Sequence, residues 1–130
     1  MPDTHVFHAV ILDLVKKSER YAMVGLLPNE EKALKELKTT LAEKSQLLDF
    51  RLFGSKAKGT DITDSDLDVM IVLEEHSPAI ESRIDDLIFD INLKYDCFIT
   101  AIFFSRQELE TGPMSESPIY KKIMIEGISL

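Results

Sequence analysis

Only one cysteine, Cys97, stands among 130 residues, which excludes an intramolecular disulfide framework and a Cys-rich zinc site. Three histidines, His5, His8 and His76, are too few and too scattered for a His-based metal site. Positive charge is in deficit: 15 Lys and Arg against 23 Asp and Glu give a formal charge of −8. Gripping a long nucleic acid by phosphate neutralisation is therefore excluded, although a local basic patch for one small anionic ligand is not. No run approaches the roughly 18 apolar residues that span a bilayer. Asp3 and Asp13 fall where a signal peptide needs positive charge and unbroken hydrophobicity. Repeats, low-complexity tracts and linkers are missing too. The chain thus reads as a soluble, cytoplasmic protein with neither a membrane nor a long nucleic acid as partner.

What is present suffices for one core. With 45% hydrophobic and 29% charged residues the balance is globular, and 130 residues bury enough surface for a single domain without staples. Apolar positions Val6, Phe7, Val10, Ile11, Leu14 and Val15 recur three and four apart, predicting a helix over 5–22. Residues 1–28 are read as a helical extension of a domain spanning 29–130. Asn29 is the expected N-cap of a helix running to Lys44, with Ala33, Leu34, Leu37 and Leu41 on one face. Leu48, Phe50 and Leu52 alternate with polar residues, a half-buried strand over 48–53. LDVMIVL, residues 67–73, reads as a strand buried on both faces. Ser77-Pro78 opens a helix whose buried face holds Ile80, Ile84, Leu87, Ile88 and Ile91. A third strand is expected over 96–104. A capping box, Ser105 with Glu108, starts a short helix, and Ser117-Pro118 starts the last one. Gly127 is expected as its left-handed stop, before a tail or strand at 128–130. Three strands surrounded by helices make a small α/β or α+β domain.

The chemistry gathers around the polar stretch 54–65. Asp66 and Asp68 lie two apart at the entry to a strand, so both carboxylates project to one face. Two ionised neighbours repel, and they become tolerable with a divalent cation such as Mg²⁺ between them. Gly54 lets the backbone turn tightly and approach a ligand. Ser55 offers a hydroxyl and a backbone N–H at an expected helix start, and Lys56 and Lys58 add positive charge. Donors and lysines for phosphates, with carboxylates for a bridging metal, are what a triphosphate site needs. Asp96 could join them if the third strand pairs beside 67–73, completing a two-metal site and taking the proton of an attacking hydroxyl. Asp85, Asp86 and Asp90 are read as a solvated helix face, and Cys97 as a small buried hydrophobe.

The segment FGSKAKGTDITDSDLDVMIVL resembles the signature of the DNA polymerase β nucleotidyltransferase superfamily, and most closely its minimal nucleotidyltransferases. Gly54, Ser55, Ala57, Gly59, Ser65, Asp66, Asp68 and Val69 match the pattern, and the closing SPIYKKIMIEGISL is similar as well. The resemblance implies a central mixed β-sheet flanked by helices and Mg²⁺-dependent transfer of a nucleoside monophosphate, from ATP or another NTP, to a hydroxyl. It implies that Gly54 and Ser55, with Lys56 and Lys58, hold the triphosphate. Asp66 and Asp68 would bind metal, and Asp96 would be the third ligand or base. Lys58 replaces the family's usual Arg, which keeps the charge but loses the bidentate fork. Such proteins are often antitoxins paired with a HEPN-type helical toxin that they modify on tyrosine.

Other readings compete. Gly54 to Gly59 has P-loop spacing, but Thr60-Asp61 follows where Lys and Ser or Thr are required. A calcium loop from Asp64 to Glu75 would place Val69 at the position of its essential glycine. A protein-binding antitoxin module acting by contact alone, or a transferase of small aminoglycoside-like alcohols, would share the motif. The apolar stripe of 5–22 must also be covered, by its own domain, by a homodimer contact or by a partner.

Overall fold

The computed structural model describes residues 25–58 and 66–130. The expected helix over 5–22, with His5 and His8, lies outside the described residues, as does 59–65 of the polar stretch.

Helix α1 spans Pro28–Lys44. Its N-cap is Leu27, not Asn29, because Pro28 has no N–H to leave unsatisfied and fits the first helical position. Glu30 reaches back to accept the Leu27 amide at 2.9 Å, while the Asn29 amide donates to the Tyr95 and Asp96 carbonyls. Strand β1, Leu47–Phe53, leads through Gly54 into a single helical turn, α2, Ser55–Lys58. Strand β2 is Leu67–Leu73. Helix α3, Pro78–Tyr95, starts as expected with the Ser77 hydroxyl accepting from the Ile80 amide.

Strand β3 is Ile99–Ser105 and begins three residues later than the sequence pattern predicts. The cause is Asp96, which takes a left-handed conformation (φ 52°) and caps α3. The Ser105–Glu108 capping box opens α4, Arg106–Glu110, and a 3₁₀ turn over Pro113–Glu116 precedes α5, Pro118–Glu126. Gly127 is not left-handed: it is extended, with φ −74°. It is needed for closeness instead, since a Cβ there would stand 2.5 Å from the Ile123 carbonyl oxygen. That close passage delivers the two-residue strand β4, Ile128–Ser129, onto β1.

The sheet order is β3-β2-β1-β4, with β2 and β3 parallel through the α3 crossover and the other pairings antiparallel. This is the mixed sheet expected, with β4 as a fourth strand. One face carries Phe50, Leu52, Leu67, Val69, Ile71 and Leu73 against the apolar stripes of α1 and α3. Burying each such side chain contributes about 1.5–3 kcal/mol. On the other face Met70, Val72, Phe104 and Ile123 form a smaller cluster. Along that second face β2 reads Asp68, Met70, Val72, so its apolar part stops short of the strand's first turn.

Candidate functional site

The alternation of β2 puts Asp68 on the second face, one step before the apolar cluster begins, while Asp66 lies just ahead of the strand, which starts at Leu67. Asp66 is exposed and Asp68 half-buried. Register brings two neighbours beside Asp68: Phe53 at the end of β1 and Thr100 near the start of β3. Immediately after Phe53 the chain turns at Gly54 with φ 78°, a left-handed conformation that favours glycine. A Cβ on Gly54 would stand 2.5 Å from Asp68 Oδ2. The Gly-Ser turn and the Asp-x-Asp strand, ten residues apart in sequence, are therefore in direct contact. On the other side the Thr100 hydroxyl donates to Asp68 Oδ1 at 2.8 Å.

Gly54, Ser55 and Lys58 line a cavity of about 380 Å³ with Ile119, Lys122 and Glu126 of α5. Lys58 reaches Glu126 at 3.2 Å, and both side chains are more than a third exposed, so the pair holds little energy and opens readily to an anion. Two larger hollows lie elsewhere. One, of about 550 Å³, sits between the end of α1 and the start of α3; the other, of about 960 Å³, is lined by Leu27, Phe89, Leu93, Cys97 and Phe98. The smaller one is the one that borders the Gly-Ser turn, and its volume is within the range of small-molecule sites.

Two expected site residues are not brought here. Lys56 is fully buried, its ammonium 3.1 Å from Glu30 Oε1, so it joins α2 to the start of α1 and does not face the cavity. The single turn of α2 explains the divergence, since positions 56 and 58 cannot share a helix face. Asp96 is placed on the α3 cap, ahead of β3, where its carbonyl accepts from Asn29 and it borders the hollow of about 960 Å³. The strand does pair beside β2, but the residue opposite Asp68 is Thr100, four positions further on. Thr100 and Glu126 escaped the sequence reading, which takes Tyr120, Lys121 and Lys122 as a helix face that could touch substrate or partner; of these Lys122 lines the cavity. Thr100 alone left a trace, as the polar interruption in ITAIFF.

Two carboxylates on one strand end form a hard-oxygen donor set, and Mg²⁺ is commonly held by one or two carboxylates together with substrate phosphates. Among the described residues no group of three or more His, Cys, Asp or Glu is gathered as a metal site. The arrangement thus fits a divalent cation shared with a phosphate ligand: Asp66 and Asp68 would hold it, and the Gly-Ser turn brings the ligand alongside.

Comparison with known proteins bears on this geometry. The nucleotidyltransferase domain family matches residues 34–128. The chain belongs to that family. Its activity is nucleotidyl transfer, and its architecture is the polymerase-β-like fold of the minimal nucleotidyltransferases. A solved structure assigned as a minimal nucleotidyltransferase is similar with a TM-score of 0.54 and 19% identity, covering 77% of this chain and 91% of that one. Another, assigned as a nucleotidyltransferase of Sulfolobus solfataricus, gives a TM-score of 0.48 at 15% identity, covering 81% and 88%. No curated protein matches the sequence. Among the described residues of this nucleotidyltransferase no helix is long and apolar enough to cross a membrane.

Proposed function

We propose that this nucleotidyltransferase is Mg²⁺-dependent and transfers AMP from ATP to an acceptor hydroxyl. The observation that carries the reading is the contact of Gly54 with the Asp68 carboxylate, which sets a phosphate-approaching turn against a pair of metal-ligating oxygens. The acceptor hydroxyl oxygen attacks the α-phosphorus in line and gives up its proton to solvent, the bond from that phosphorus to the bridging oxygen breaks, and pyrophosphate leaves with the electron pair. Bound Mg²⁺ would supply Lewis-acid stabilisation of the charge developing on the phosphate oxygens. Asp66 and Asp68 hold their carboxylates at the strand end for this purpose, and β2, buried beyond Asp68, keeps them from drifting. Gly54 admits the triphosphate close to the backbone, the Ser55 hydroxyl donates to a phosphate oxygen, and Lys58 exchanges Glu126 for phosphate.

The acceptor we propose is a tyrosine of a HEPN-type helical protein. The sequence likeness to minimal nucleotidyltransferases supports it. Incubating the protein with ATP labelled at the α-phosphate and such a partner should label the partner on tyrosine, only with Mg²⁺ present. Partner left unlabelled by the wild type, while neutralised equally by the wild type and by the double variant Asp66→Asn/Asp68→Asn, would instead establish the contact-only reading. That second reading draws on Thr100, a neutral residue standing opposite Asp68.

A further inference from the structure

We propose that Thr100 is a positioning residue that orients the Asp68 carboxylate toward a divalent cation; this rests on the reading of Asp66 and Asp68 as metal ligands. A carboxylate on a strand end can rotate about its last side-chain bond. In this structure the Thr100 hydroxyl holds Asp68 Oδ1 at 2.8 Å, while Oδ2 lies in the space that Gly54 leaves open, where a Cβ would stand 2.5 Å from it. Thr100 and Asp68 are paired directly across parallel strands, where neighbours lie about 4.8 Å apart.

The chemistry of the residue at this position matters. A second acidic group there would repel Asp68 until a cation arrived. A threonine hydroxyl donates to the carboxylate without adding charge, so it can hold the ligand in place before the cation binds. Outer hydrogen bonds of this kind set ligand orientation and basicity. Thr100 is exposed and lies in an edge strand, so core packing does not account for its side chain.

Mn²⁺ titration of the full chain, followed by the electron paramagnetic resonance signal of free Mn²⁺, tests this without any turnover. Thr100→Val keeps the β-branched shape and removes the donor, and it should weaken Mn²⁺ binding about tenfold. Its resistance to urea should be unchanged or higher, because valine suits a strand at least as well. Thr100→Ser should restore affinity to near the wild-type value, and Thr100→Ala should match the valine variant, which covers the case where valine disturbs folding. Asp68→Asn should abolish binding. If the valine and alanine variants bind Mn²⁺ like the wild type while Asp68→Asn does not bind, the positioning role is overturned and the metal-site reading stands. If Asp68→Asn binds as tightly as the wild type, or the wild type binds no Mn²⁺, both fall.

Discussion

Carboxylates stand near both ends of β2, and the fold treats them in opposite ways. Beyond its C-terminal end, His76 lies 2.8 Å from Glu81 and 3.3 Å from Glu108 and stacks on Phe103. Burial opposes charge on His76, but the two carboxylates outweigh it and raise its pKa. Glu108 is held below its ordinary value by His76 and by the Ser105 donors, against the effect of burial. At the N-terminal end Asp66, just ahead of the strand, and Asp68, its second residue, have no ion-pair partner among the described residues, and Asp68 accepts one neutral hydroxyl. The first cluster is complete within the protein and joins the β2–α3 loop to α4. The second leaves its carboxylates at an accessible edge, where a cation can reach them.

The sharpest way to break this contrast is to neutralise each end. Asp66→Asn with Asp68→Asn should lower nucleotidyl transfer at least about a thousandfold, the loss of several kcal/mol of transition-state stabilisation. The melting temperature should hold or rise, since like-charge repulsion is removed. Glu108→Gln should lower stability and leave transfer per folded molecule unchanged. Activity and urea unfolding measured on both variants would merge the two ends if they moved together.

The two lysines of α2 extend the comparison to the basic residues. Lys56→Ala strands a buried Glu30 and should cost about 3–5 kcal/mol in denaturant unfolding. Lys58→Ala, at an exposed pair with Glu126, should cost under about 1 kcal/mol but raise the KM for ATP. Gly54→Ala follows in size. Strain at a left-handed position is about 1–2 kcal/mol, and displacement of Asp68 should appear as weaker Mg²⁺ dependence of transfer.

The smallest effect is the pH dependence of the His76 cluster. A raised folded-state pKa gives stability that is fully present below the ordinary value of 6.5 and is lost as pH rises through the folded value. The unfolding free energy should therefore fall by a few tenths of a kcal/mol, about the worth of a partly exposed pair, between pH 6 and 8. His76→Gln should remove that slope.

Much of this was legible in the sequence because the signals were local. Ser77-Pro78, the Ser105–Glu108 box and the apolar run 67–73 each specify their element without reference to the rest of the chain. The adjacency of Gly54-Ser55 and Asp66-x-Asp68 was legible as a motif. What was not legible depended on register and on ends. Asp96 looked like a strand residue until the left-handed cap of α3 moved the start of β3 to Ile99. Thr100 gained its place only through pairing with Asp68. Lys56 and Lys58 are indistinguishable in sequence, and one helical turn sends one to the core and the other to the cavity. Gly127 was identified as a glycine requirement for the wrong reason, since close approach to Ile123 and not a left-handed turn demands it.

The central claim is a working nucleotide site built on two carboxylates. Calorimetric titration of ATP into the purified chain, with and without Mg²⁺ and beside the Asp66→Asn/Asp68→Asn variant, tests it most directly. Saturable binding that requires both Mg²⁺ and the carboxylates is the predicted result. Binding that is equal in the variant, or indifferent to Mg²⁺, would contradict it.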